Sequence, residues 1–239
     1  MASDWATLNT RLQDALGLSV APIAITFAPD VPAGVATLDR PMPEPSGDGR
    51  TGRAAAGCVF WMSATDSTFA TVAEDHANCS VGSMTHGFKT LDEVGNNEDV
   101  AALLGSGWVT MEDVPQIPVV QEQPGSVVYG PLSSTPVDPD VVLLRVTGRQ
   151  LMVLHDAYPG LRIEGKPQCH IIAVAKEQGE MAASVGCQLS RVRTGMPNGE
   201  MTCAIPASMV PEVIDRVERT GAADSAVARY ASTDMQRFA

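Results

Sequence analysis

APIAITF (residues 21–27) and DVVLLRV (residues 140–146) are short apolar runs of matching character. Runs of this length, rich in β-branched residues, read as buried strands. Ile23, Ile25 and Phe27 fall on one face of the first. Each run opens a stretch that carries two cysteines. Cys58 and Cys79 are 21 positions apart, and Cys169 and Cys187 are 18 apart. In both stretches an apolar segment follows the first cysteine, a short strand comes next, and a Gly-containing turn holds the second. CSVGSMTHG from Cys79 and CQLSRVRTG from Cys187 each end on a glycine, Gly87 and Gly195. The reading is a pseudo-duplication, with halves at about 18–110 and 126–206, that brings four cysteines to one two-fold-related centre.

The rest of the chain fits a single compact domain over residues 1–239 of class α+β (mixed α/β). Ser3 is placed to cap a first helix whose apolar face is Trp5, Leu8, Leu12 and Ala15, with Gly17 ending it. Residues 29–53 are crowded with Pro and Gly and read as a loop. Leu91 to Leu104 reads as one helix stopped by Gly105 and Gly107. Thr147 caps a helix from Gly148 to Tyr158. Phe69–Ala73, Ser126–Tyr129, Met181–Ser184 and Met201–Ile205 read as further strands. Two terminal helices are expected within residues 206–231, Pro206–Arg219 and Ala222–Tyr230.

Composition narrows the function. Hydrophobic residues make up 44% and charged residues 18% of 239, enough apolar material for a buried core. Sixteen Lys plus Arg against 28 Asp plus Glu give a net charge of -12, which disfavours nucleic acid and anionic membrane surfaces. No apolar run approaches the roughly 20 residues that cross a bilayer. Residues 1–18 are amphipathic and acidic rather than a secretory signal, so the expected location is cytoplasmic. Thiols stay reduced there, and five cysteines cannot all pair within one chain.

Thiolates are natural ligands of soft and borderline metals, and four can close around a cluster or a zinc ion. No C-x-x-C is present, so spacing alone leaves buried, inert cysteine as a full alternative. Gly82 and Gly186 lie close to Cys79 and Cys187, where backbone amides can approach a cluster sulfur. Cys203 alternates with Met201 and Ile205 and reads as a core residue. His76 and His86 flank Cys79 and are candidate acid–base groups, with turn and surface roles as the alternative. Arg191 and Arg193 follow Cys187; either offsets negative charge at the centre or sits exposed. His170, beside Cys169, points to the opposite side if the segment is extended.

Taken together, Cys58-Val-Phe-Trp61, EDHANCSVGSMTHG (residues 74–87), VVYGPLSSTPVDPDVVLL (127–144), GKPQCHIIAVA (165–175) and SVGCQLSRVRTG (184–195) resemble the family known as domain of unknown function 169. The likeness covers nearly the whole chain. It implies a recurring cysteine set at Cys58, Cys79, Cys169 and Cys187, and an ordinary strand residue at Cys203. The long Pro-rich insertion within residues 29–53, and Ser190 where Asn is expected, depart from the family pattern.

The leading expectation is an iron–sulfur protein holding a [4Fe-4S] cluster on Cys58, Cys79, Cys169 and Cys187. It would act as an oxidoreductase or lyase on a small-molecule substrate, with His76, His86 and Arg191 as catalytic helpers. An electron-donor protein and a second copy in a homodimer are the partners such a protein would call for. Two rivals stand beside it. One is a zinc-stabilised or metal-free binding module. The other is a thiol enzyme with Cys79 as nucleophile beside His76 or His86.

Overall fold

The computed structural model describes residues 4–38, 55–164, 167–232 and 234–237. Helix α1 (Trp5–Leu16) starts on Asp4, whose carboxylate accepts from the Thr7 amide, and ends on left-handed Gly17 at φ 62°. Ser3, the expected cap, lies outside the described residues, as does most of the Pro-rich loop. The chain continues through β1 (Ile23–Ala28), α2 (Gly57–Ser63), β2 (Phe69–Thr71), α3 (Ser80–Thr85), α4 (Leu91–Val94) and α5 (Glu98–Gly105). Then come β3 (Ser126–Pro131), β4 (Val141–Thr147), α6 (Gly148–Ala157), β5 (Arg162–Glu164) and α7 (His170–Ala173). The last elements are β6 (Ala182–Ser184), α8 (Gln188–Thr194), β7 (Glu200–Pro206) and α9 (Val210–Ala231). The class is α+β. Among the described residues no helix is long and apolar enough to cross a membrane.

The two apolar runs are adjacent at the middle of one mixed sheet, whose order is β2-β3-β1-β4-β7-β6-β5. They pair antiparallel as Ile23↔Leu143, Ala24↔Val142 and Ile25↔Val141. A two-fold through the Ala24–Val142 pair exchanges the pairs on either side of it. The relation extends outward. Ile23 faces Pro131 at the end of β3, and Val141 faces Pro206 at the end of β7. Phe69↔Tyr129 joins β2 to β3, and Ala182↔Ala204 joins β6 to β7, each two residues short of its proline. Strand β5 runs parallel to β6 with Ile163 opposite Ala183. On the other edge a single parallel bridge, Thr37↔Ala70, stands at the corresponding place. Cys58 and Cys169 therefore precede equivalent strands, and Cys79 and Cys187 follow them.

Strand alternation separates two cores. Ala24, Val142, Leu144, Cys203 and Ile205 face α1, α6 and α9, burying Leu12, Leu154, Val213 and Ile214. Ile23, Ile25, Tyr129, Leu143 and Ala204 face α2 and α7, burying Phe60, Trp61, Ile171 and Ile172. Both layers exclude water almost completely. At about 25 cal/mol per Å² of apolar surface, such burial is the main force holding the fold.

Several elements depart from the sequence expectation. Residues 91–104 form two helices, because Gly95 closes the first and Asn97 starts the second. The segments after Cys79 and Cys187 are helices rather than turns. Strand β5 was not anticipated, since Arg162-Ile-Glu164 is polar at both ends and none of its residues is buried. The two terminal helices are one 22-residue helix that runs through Gly221. An interior glycine costs about 1 kcal/mol but need not break a helix that packs against a neighbour, and α9 packs against α1.

Candidate metal centre

Each of the four cysteines stands at the start of a short helix. Cys58 is the second residue of α2, and Cys79, Cys169 and Cys187 immediately precede α3, α7 and α8. First helical turns leave amide N–H groups without intrahelical partners and carry partial positive charge, which favours anionic sulfur. One such bond is present: the Gly82 amide donates to Cys79 Sγ at 3.4 Å. A side chain at Gly82 would press on that sulfur, its Cβ lying 3.3 Å away. All four cysteines line one cavity of about 420 Å³, counting its mouth open to solvent, together with Gln168, Ser190 and Arg193. The sheet topology explains the meeting, since the four helices start on the same face.

The thiols sense one another. Cys58 is pushed up to about 12, first by burial and then by Cys79, while Ser190 and Arg193 pull the other way. Cys169 is pushed well above the ordinary thiol range by burial and then by Cys79. Both are protonated at neutral pH in the metal-free protein, so a metal must displace their protons. Burial opposes the charge of Arg193, but Cys79 and Cys58 outweigh it and hold the guanidinium protonated. Its Nη2 donates to the Asn78 carbonyl at 2.7 Å.

The sequence-predicted helpers divide. Arg191 is not at the cavity. Its guanidinium donates to the carbonyls of Pro197, Val185 and Glu200 at 2.7, 3.1 and 2.6 Å. It fills the space over Gly186, which is left-handed at φ +129°. Arg191 thus shapes the turn before Cys187, and Arg193 is the arginine that meets the thiols. His76 and His86 are buried and do not line the cavity. His76 lies among Phe60, Phe88, Tyr129 and His86, with ring centroids 4.6 to 6.4 Å away. Thr71 Oγ1 donates to the Val127 carbonyl, so His76 Nε2–H donates to Thr71 Oγ1 at 2.9 Å. Burial holds His76 well below its ordinary pKa, with His86 adding to the effect. Burial also pulls His86 down to about 4, and its Nδ1–H donates to the Gly82 carbonyl at 2.9 Å. Both imidazoles are neutral scaffolding beneath the Cys79 helix. His170 is in a helix rather than an extended segment, and its Nε2 is 3.5 Å from Glu164.

Buried polar atoms without a hydrogen-bond partner concentrate here. Gln168 Oε1 lines the cavity, and His86 Nε2 and the Tyr129 hydroxyl lie behind Gly57. Cys169 and Cys58 both raise the Tyr129 pKa, after burial. Folded proteins satisfy nearly all such groups, so a cluster of orphans marks a site where something else binds. Gln168 and Tyr129 were missed in the sequence; buried polar residues within apolar segments are a weak signal there. Cys203 lies on the opposite face of the sheet, fully buried, between Leu144 and Ala183.

The donor set can be tested against the groups it would suit. Four soft sulfurs, with a compensating arginine and the Gly82 amide on Cys79 Sγ, match a thiolate-ligated cluster carrying net negative charge. A single zinc ion requires every sulfur about 2.3 Å from one point. Among the described residues no three His, Cys, Asp or Glu side chains converge that closely. The four thiols share the lining of one cavity, and their chemistry suits a thiolate-ligated metal group.

The family model DUF169, described as uncharacterised ArCR, matches residues 11–216. No curated protein and no solved structure matches the chain.

Proposed function

The chain belongs to the DUF169 family, whose matched span encloses all four cysteines, and on that footing we propose that it is an iron–sulfur protein with a [4Fe-4S] cluster on Cys58, Cys79, Cys169 and Cys187. The observation that carries the reading is that four cysteines from four separate helices line one cavity, while the fifth is on the other side of the sheet. When bound, the cluster supplies electron transfer if all four thiolates hold it, or Lewis acidity if one iron is left open.

The chain's own groups have definite parts in this scheme. Arg193 offsets the negative charge of the thiolates from the Cys79 side. The Gly82 amide supports Cys79 Sγ, and Ser190 stands beside Cys58. Gln168 and Ser190, both buried in the cavity wall, would orient a small substrate inside it. His76 and His86 hold the loop that carries Cys79 and stay out of the reaction. The class of activity is redox or lyase chemistry on a small molecule, with an electron-donor protein as partner in the redox case. A reducing cytoplasm is the natural setting for such a centre.

Single Cys→Ser variants at the four positions, purified without oxygen, test the assignment. Each should lower the iron and sulfide bound per folded chain, and Cys203→Ala should leave both unchanged. Full iron and sulfide in any of the four removes that residue from the ligand set. Full content in all four ends the proposal.

A further inference from the structure

The two-fold that relates the halves is broken in how the four sulfurs are supported. Cys79 caps α3 and accepts from the Gly82 amide at 3.4 Å, whereas Cys187, its counterpart before α8, makes no such bond with its own helix. Ser190 follows Cys187 at the distance at which Gly82 follows Cys79, but the Ser190 hydroxyl is the hydrogen-bond partner of Cys58. One turn further on, Thr85 and Arg193 correspond. The Thr85 hydroxyl is the partner of Cys169. Arg193 reaches into the other half and bonds Cys79, with Nη2 on the Asn78 carbonyl at 2.7 Å.

Cys58, Cys79 and Cys169 thus each have a polar partner from the chain. Among the described residues Cys187 Sγ has no hydrogen-bond donor. Its surroundings differ too. The residues on either side of the other three cysteines are buried or half-buried. Gln188, beside Cys187, is exposed, and Val185 just before the turn is 51% exposed. Hydrogen bonds from the chain orient a metal ligand and stabilise its charge, and losing one weakens metal binding about ten- to a hundred-fold.

We infer that Cys187 is the ligand that gives way to substrate, so that the reactive position of the proposed cluster lies at the α8 end of the cavity. The inference rests on the proposed function and deepens it, because a displaceable thiolate selects the Lewis-acid chemistry of a lyase over simple electron transfer. In the exchange Cys187 Sγ leaves the metal and takes the proton that an incoming hydroxyl group gives up, and no electron moves. Cys58, Cys79 and Cys169 stay in place because Ser190, Arg193 with the Gly82 amide, and Thr85 hold them.

Stepwise oxidation of the full chain, purified without oxygen, tests this without any variant. Ferricyanide is added until one iron per chain is released. The sample is then alkylated with iodoacetamide, and the labelled cysteines are identified by peptide mass. Cys187 should carry about ten times the label of Cys58, Cys79 or Cys169, or more. Electron paramagnetic resonance of the same sample should show a three-iron cluster still bound. Label concentrated on another of the three overturns the inference and leaves the cluster standing. Release of all the iron together, with the four cysteines labelled alike, does the same. A chain that binds no iron and no sulfide overturns the cluster itself, and the assignment of Cys187 with it.

Discussion

Arg193 reaches from the helix after Cys187 to the carbonyl of Asn78, the residue before Cys79, at 2.7 Å. One side chain thus ties the second half of the molecule to the cysteine loop of the first, and brings its charge to the thiols. Arg193→Gln should lose iron to a chelator faster than the parent, and fold stability should drop by about 2 kcal/mol, the scale for a hydrogen bond from a charged group. Arg193→Lys, which keeps the charge, should retain iron better than Arg193→Gln. Chelator-competition kinetics with urea unfolding checks both.

Arg191 gives the opposite outcome. Its three carbonyl contacts hold the turn at Gly186. Arg191→Ala should destabilise the fold by about 2–3 kcal/mol, yet the fraction that folds should bind iron in the parental ratio. Iron content normalised to folded protein, measured by circular dichroism, separates the two arginines.

His86 makes stability depend on pH. Its folded pKa is pulled down to about 4 by burial, against 6.5 for the free group. The unfolded chain therefore takes up the proton first. The stability from neutral His86 is fully present above pH 6.5 and falls as the pH drops toward about 4. By about pH 5 the loss is roughly 2 kcal/mol, and His76 adds a loss of the same sign. Urea midpoints measured from about pH 7 to 5 should fall steeply for the parent and less for His86→Asn.

The Tyr129 hydroxyl is buried without a partner in the protein. Removing an unpaired polar group from an interior is neutral or favourable. Tyr129→Phe should therefore leave the metal-free protein as stable as the parent, or gain up to about 1 kcal/mol. If the hydroxyl meets the loaded centre, the same substitution should shift the reduction potential. Thermal melts and potentiometric titration read the two effects separately.

The sheet was legible because a strand buried on both faces reads as a continuous apolar run, and residues 21–27 and 140–146 are two such runs. The repeat was read from the spacing of Cys and Gly in CSVGSMTHG and CQLSRVRTG, and strand registers related through Ala24 and Val142 stand beside it. The arginines were not. At 3.6 residues per turn, positions two apart on a helix face nearly opposite ways, so Arg191 and Arg193 part company only once α8 is known to be a helix. The reactive look of EDHANCSVGSMTHG misled for a different reason. Phe60 and Tyr129 come from other segments, and only the folded chain shows that they and Phe88 close round His76. Leu91 to Leu104 was read as one helix, because the break at Gly95 and Asn97 is a matter of capping rather than hydrophobic pattern.

The most direct test of the four-cysteine centre is the visible absorption of protein purified without oxygen, taken with iron and acid-labile sulfide assays on the same sample. The account predicts a brown protein with about four iron and four sulfide per chain. A colourless protein that holds neither, and takes up neither on reconstitution, would contradict it.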